Sequence, residues 1–343
     1  MTLPLASLSL DLDNKWSYMK THGDAGWESF PSYLDVVVPR ALEALDQRGL
    51  KITFFIVGQD AAIDSNGAAL RSIADAGHEV GNHSFHHEPW LHLYEPAQLA
   101  EELTRAEDAI VSATGQRPVG FRGPGYSFSQ PLLAELARRG YEYDASTFPT
   151  FLGPLARWYY FLRANLSGGE REQRKQLFGK FAEGFRPLRP FRWAGLARDL
   201  IEIPVTTMPY AKLPIHVSYL LYLAGFSERL AIAYFRWAMR LCDWSRVEPS
   251  LLLHPLDFIG GDDDPDLAFF PAMGSPSAKK LRLVGRVLDE LGRRRRIVTM
   301  REHAHAHARA MPSHAGTADA IAAGPLVEDE TCAAAAFAGA AKP

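Results

Sequence analysis

Leu5-Ala6-Ser7-Leu8-Ser9-Leu10-Asp11-Leu12-Asp13 is an apolar run that ends on two carboxylates. Leu5 to Leu12 reads as a first buried strand. Residues two apart in a strand point the same way, so Asp11 and Asp13 share a side. Carboxylates closing a buried strand need a metal, an arginine or solvent. The plainer reading is a solvated strand end or a turn cap.

Outward from this strand, the first 150 residues repeat strand and helix. Val37 to Gln47 is a helix ended by Gly49, and Lys51 to Val57 is the next strand. Ala68 to Ala76 is a helix stopped by Gly77, followed by a short strand, His78 to Asn82. A long helix lies in Pro96 to Gly115, then a strand in Val119 to Arg122. Pro131 to Arg139 is helical, and Gly140 leads into a strand through Asp144. This rhythm predicts an α/β fold, either layered or a β/α barrel.

The rhythm breaks over residues 148–200, where aromatics such as Trp158, Tyr159, Phe178 and Trp193 interleave with Arg157, Arg163, Arg186 and Arg192. It resumes at Leu200 to Val205. A helical insertion spans about 213–243, Leu251 to His254 is a strand, Ser277 to Leu291 an amphipathic helix, and Arg296 to Thr299 a last short strand. Residues 1–302 are expected to form one domain, with 303–343 an Ala-rich flexible tail. In that tail His303-Ala304-His305-Ala306-His307 alternates like a chelating tract, read here as incidental.

The 343 residues are 47% hydrophobic and carry a formal charge of −3 from 37 basic and 40 acidic side chains. No global positive field draws in nucleic acid. Two cysteines, Cys242 and Cys332, make neither a disulfide framework nor a thiolate zinc site, so any metal falls to nitrogen and oxygen ligands. No export signal or apolar stretch of spanning length is read at the sequence level, and the expectation is a cytoplasmic protein.

Three further segments carry chemistry. His83-Ser84-Phe85-His86-His87 follows a strand, and a helical turn there would put His83 and His87 on one face, able to reach one cation. Asp13 adds a third ligand, while His86 points elsewhere. Phe121-Arg122-Gly123-Pro124-Gly125-Tyr126 is an Arg at a strand end before a rigid turn, suited to a bidentate pair with Asp11. Leu251-Leu252-Leu253-His254-Pro255 closes an apolar strand on a His placed to act as a general acid.

In this order the four segments resemble the polysaccharide deacetylase family, the NodB-like carbohydrate esterases of family 4, over roughly residues 5–145 and 200–300. The resemblance implies a distorted (β/α)7-type barrel with helical insertions. It implies Asp11 as general base, Asp13, His83 and His87 as metal ligands, Arg122 orienting the base, and His254 as catalytic acid. Tyr126 stands where the family offers a backbone N–H to the oxyanion. Asp144 falls near a fourth motif that tunes the catalytic His. The first motif departs from the commonest form, since Leu12 separates its aspartates. Another alignment makes Asp13 the base and Asn14 the ligand, but Asn is the weaker ligand.

The implied activity is metal-dependent hydrolysis of an N-acetyl or N-formyl amide on a sugar, with one divalent ion, Zn²⁺ above others. A cytoplasmic site suits a nucleotide sugar or a polyprenyl-phosphate-linked sugar. Arginine favours phosphate, and the aromatic insert suits peripheral contact with the inner membrane surface. The alternatives are hydrolysis of a non-sugar C–N bond, such as an allantoin-like amide, and an inactive sugar-binding module. The last has no need of Asp11, Arg122 and His254.

Overall fold

The computed structural model describes residues 3–153, 181–270 and 273–310. Most of the aromatic and arginine-rich insert, and the chain after residue 310, lie outside the described residues.

Strand β1, Leu5–Leu12, is buried along almost its whole length. It pairs in parallel with β2, Thr53–Ile56, with β8, Ser250–Leu253, and, at its first residues, with β9, Arg296–Val298. Burial on both faces is the usual state of a parallel strand covered by crossover helices. Leu8, Leu10 and Leu12 fill the apolar side, and Ser7 and Ser9 are equally buried on the other.

The sheet runs β6-β7-β5-β4-β3-β2-β1-β8, where β3 is Glu79–Asn82, β4 Gly120–Phe121, β5 Tyr143–Asp144, β6 Phe191–Arg192 and β7 Ile201–Glu202. Every pairing is parallel except β6 with β7. The sheet is a curled, open half-barrel flanked by helices, which is the distorted barrel expected. Past β7 the chain reaches toward the far edge, where the Thr206 N–H donates to the Ser250 carbonyl at 3.0 Å.

Helices Leu34–Asp46, Gly67–Asp75, Pro96–Thr114 and Ser277–Gly292 lay apolar faces on the sheet. Most of their buried leucines, valines and isoleucines form one core with β1, β2 and β8, while Leu99 and Leu103 of Pro96–Thr114 join a second cluster around Phe121 and Leu132. At about 25 cal/mol per Å² such burial dominates the fold's stability.

Three local expectations need correction. The helical insertion is two helices, Val217–Phe226 and Glu228–Ser245, because Ser227 leaves the helical region at φ −162° and caps the second helix by accepting from Leu230 N–H. Helix Lys15–His22, capped by Asn14, was not anticipated. The boundary placed at 302 falls inside a helix, Met300–Ala310. Met300 and Ala304 pack on Tyr143, Ile201 and Ile203, so the first part of the expected tail belongs to the core.

Candidate metal centre and active site

Asp11 and Asp13 sit at the carboxyl end of β1, where parallel α/β folds gather their chemistry. The Asp13 Oδ1 lies 3.0 Å from His87 Nε2 and 3.2 Å from His83 Nε2. The ligand atoms of these three residues all lie within 4.8 Å of one another. Burial raises the Asp13 carboxyl, but the His87 charge and hydrogen bonds from both imidazoles outweigh it and hold Asp13 well below the ordinary range.

The histidines converge by a route other than the expected helical turn. Residues 83–88 form an irregular loop with left-handed backbone at Ser84, φ 61°, and His87, φ 53°. Its amides are satisfied from a distance: the buried Glu102 carboxylate accepts from Phe85 N–H at 2.9 Å and His86 N–H at 2.7 Å. Glu102 also takes the His86 ring at 2.7 Å, which turns that residue away from the cluster. Glu102→Ala is expected to free this loop and weaken divalent-metal affinity by about 10- to 100-fold, as loss of an outer support does elsewhere. A metal titration of the stripped protein checks it, and unchanged affinity would show the loop holds itself.

The donor set fits a divalent cation. His83 Nδ1–H donates to the Arg122 carbonyl at 2.6 Å, so Nε2, which faces Asp13, is the nitrogen that gives up its proton and becomes the ligand when a cation binds. Two imidazoles and a carboxylate with open positions make a hydrolytic-type site. A divalent-metal-binding Asp–His–His cluster is therefore present.

Asn14 is excluded from it. Its amide donates to Ser32 Oγ and Asp60 Oδ1, and its Oδ1 accepts from Lys15 and Tyr33 N–H groups. Asp60, buried under Trp16 and Asn14, is pushed up to about 7 by burial. A carboxyl raised on folding stabilises fully below its unfolded value near ~4 and loses that contribution as pH rises through its folded value. Metal-free Asp60→Asn should thus gain on wild type by a few kcal/mol, about 2–4, between pH 4 and pH 8. Thermal melts at both pH values check this; a constant difference would mean Asp60 titrates normally.

Arg122 is completely buried and stacks 4.4 Å over Phe55. Its Nη1 donates to Asp11 at 2.6 Å and to Ser9 Oγ at 2.8 Å, and its Nε to the Ala145 carbonyl at 2.9 Å. The pairing with Asp11 is thus through one nitrogen, not the expected bidentate fork: Nε is committed to Ala145, and Nη2 has no partner among the described residues. After Arg122 the chain turns tightly: a Cβ on Gly123 would stand 1.9 Å from the Ser127 carbonyl oxygen.

Asp144 braces that turn. It accepts from Ser146 Oγ at 2.6 Å, and Ser146 Oγ accepts the Gly123 N–H at 2.8 Å. Beside it, burial and the Asp144 charge push the Glu202 carboxyl well up, while Glu202 accepts from Thr147 N–H and Oγ–H. The side-chain partners of Asp144 are thus Ser146 and Glu202, and it reaches Gly123 of the Arg122 loop through Ser146, whereas its expected role was to tune His254. The Tyr126 N–H donates to the Gly123 carbonyl at 2.9 Å, so the expected oxyanion donor is engaged in the free protein.

His254 follows β8. The register pairs Leu10 with Leu253, which makes Asp11 and His254 the next positions on neighbouring strands. Ser218 Oγ donates to Asp257 Oδ1 at 2.7 Å and lies 3.1 Å from His254 Nδ1. Since the Ser218 proton goes to Asp257, Nδ1 must donate to Ser218, and Nε2 faces away from that pair. Asp257 Oδ2 also accepts the His254 N–H at 2.8 Å.

Sequence reasoning missed Ser218, Asp257, Glu102 and His216. Asp257, three residues after His254, carried a visible capping signal; the others are distant in sequence. His216 lies 6.0 Å from the His254 ring and 5.8 Å from Phe148, which stacks on Tyr126 at 4.8 Å. Burial and the His254 charge lower His216 to about 3, so it is neutral.

Sheet and cluster together make a NodB-like α/β fold with a divalent-metal-binding site at its strand ends. Residues 24–143, roughly a third of the chain, match the polysaccharide deacetylase family. That region holds His83, His87 and Arg122 but not Asp11, Asp13 or His254. The chain is 35% identical over 113 residues to "Peptidoglycan deacetylase-like protein FGM2" of Gibberella zeae, covering 32% of each chain. It is 26% identical over 207 residues to the peptidoglycan deacetylase of Helicobacter pylori, 58% of this chain and 64% of that one. It therefore spans less than two thirds of either relative. Among solved structures, a Mycobacterium smegmatis protein described as a polysaccharide deacetylase shares the fold, with TM-score 0.57 and 19% identity over 92% of this chain and 99% of that one. The allantoinase Puue shares it with TM-score 0.53 and 16% identity over 90% and 91%.

Among the described residues no helix is long and apolar enough to cross a membrane.

Proposed function

We propose that the protein hydrolyses an N-acyl amide on an amino sugar, releasing a carboxylate and a free amine. The observation that carries this reading is the Asp13–His83–His87 cluster beside a buried Asp11–Arg122 pair at the same strand ends. When bound to Asp13, His83 and His87, a divalent ion, Zn²⁺ in our reading, would supply Lewis-acid polarisation and a more acidic water.

Asp11 takes the proton of the attacking water, and Arg122 fixes its carboxylate in place. Protonated His254 donates from Nε2 to the leaving nitrogen, with its other nitrogen held by Ser218 and Asp257. The Tyr126 N–H serves the oxyanion once substrate draws it from Gly123. Tyr126, Phe148 and His216 form a row of rings beside His254, with Phe148 stacked on Tyr126 and edge-on to His216, an aromatic wall suited to the C–H groups of a pyranose.

The acyl group is acetyl or formyl, and the sugar is nucleotide- or polyprenyl-phosphate-linked in a cytoplasmic setting. The arginine-rich insert supports a phosphorylated substrate and a peripheral membrane contact. The test is a panel of N-acetyl and N-formyl sugars, free, nucleotide-linked and polyprenyl-phosphate-linked, with allantoin alongside. Metal-stripped protein is assayed for amine release before and after Zn²⁺, Co²⁺ or Mn²⁺ is restored. Metal-dependent release from a sugar is expected. Cleavage of allantoin alone, or release indifferent to metal, would overturn the reading.

A further inference from the structure

At the opposite end of β1 a second cluster repeats the donor chemistry of the first. Glu248, His303 and His307 bring ligand atoms within 4.8 Å of one another. His303 and His307 are four apart on helix Met300–Ala310 and share one helical face. Their ring centroids are 5.1 Å apart, the same separation as His83 and His87. His307 Nε2 lies 2.9 Å from Glu248 Oε2, and His303 Nε2 lies 3.6 Å from the same oxygen.

His303 supplies an independent sign of a missing ligand. It is fully buried, and among the described residues its Nε2 has no hydrogen-bond partner although it faces the Glu248 carboxylate. Its other nitrogen is 2.8 Å from Ser7 Oγ. If Nδ1 donates to Ser7, Nε2 carries a buried lone pair directed at a carboxylate, an arrangement that a cation between them resolves. Leaving a buried polar nitrogen unmade costs roughly 1–3 kcal/mol, so such an atom calls for a partner. Glu248 is itself anchored, since its Oε1 accepts the Leu5 N–H at 3.1 Å.

We infer that Glu248, His303 and His307 form a second divalent transition-metal site, of zinc-type preference, that clamps the helix Met300–Ala310 to the start of β1. Two imidazoles and one carboxylate suit Zn²⁺ or Co²⁺ and not Ca²⁺ or Mg²⁺, which take oxygen-rich shells. Ser7 orients His303 as the Arg122 carbonyl orients His83. Ser7 and Asp13 are six residues apart along one strand, about 20 Å at ~3.3 Å per residue, so one ion cannot serve both clusters. A role in holding structure fits, because this cluster lies at the strand ends away from Asp11 and His254.

The inference stands apart from the proposed hydrolysis, because its test counts metal and melting and not turnover. Untagged, metal-stripped full-length protein is titrated with Zn²⁺ and with Co²⁺, and bound metal per chain is measured after gel filtration. Wild type is expected to bind two ions. His87→Ala and His307→Ala should each bind one, and the double variant none. Zn²⁺ should raise the melting temperature of His87→Ala but not of the double variant. Glu248→Gln, which keeps an acceptor for Leu5, is the second variant should His307→Ala melt early. A single ion in wild type that His87→Ala abolishes and His307→Ala keeps, or an undiminished count in both His307→Ala and Glu248→Gln, would overturn the second site.

Discussion

Asp11→Asn is expected to keep its full complement of metal at the Asp13 cluster and to lose about two to four orders of magnitude in turnover. Asn preserves the shape of the side chain and an oxygen for the Arg122 Nη1–H, which donates to Asp11 at 2.6 Å. It removes the basic lone pair that would receive the water proton. The ligands Asp13, His83 and His87 reach one another without Asp11. Metal content and turnover therefore separate in this variant, whereas His87→Ala should lower both. The assay is run well below the melting temperature, with metal per chain measured on the same sample. Wild-type turnover in Asp11→Asn would remove Asp11 from the role of base.

Arg122→Met should be the most destabilising single change in the cleft. Arg122 has no exposed surface, and Asp11 is 4% exposed. Removing one member of such a pair leaves a charge in a low-dielectric site, at a cost of about 3–5 kcal/mol. The change also strands the Ala145 carbonyl and Ser9 hydroxyl. A fall in melting temperature on the order of 10 °C is expected. Lys should rescue only in part, because one ammonium cannot span Ala145, Ser9 and Asp11 as the planar guanidinium does. If Arg122→Met melts with wild type, the pair is solvated and holds nothing.

What the sequence made legible has a common physical character. Asp11, Asp13, Arg122 and His254 stand out as polar residues closing apolar strands, and His83 and His87 as a pair four apart just after a strand, and the sheet brings those strand ends to one side. The alternation of strand, helix and glycine was enough for the order of the main strands. Where legibility failed, the controlling partner lay far along the chain. The His83–His87 spacing suggested a helical turn, but Glu102 holds the segment as a loop. Asp144 carries no mark of the Ser146 hydroxyl that ties it to Gly123. The alternating His and Ala after 302 resembled a tail, yet Met300 and Ala304 have apolar neighbours on β5 and β7 that fix them as helix. The two-residue strand Phe191–Arg192 was too short to be seen in any periodic pattern.

Strand β1 is held along its length by β2 and β8, with β9 at its beginning. Its backbone hydrogen bonds are shared among three neighbouring strands, which places it among the last segments to open. The two carboxylates ride on that segment, while both ligand histidines ride on a loop outside the sheet, held by Glu102, by the Gly58 and Gln59 amides and, at His83, by the Arg122 carbonyl. Thermal motion at this centre is therefore unequal: a fixed anvil of carboxylates and a looser pair of imidazoles. In hydrogen-exchange terms, the histidine side sets how often the metal pocket opens, and the aspartate side sets where it closes.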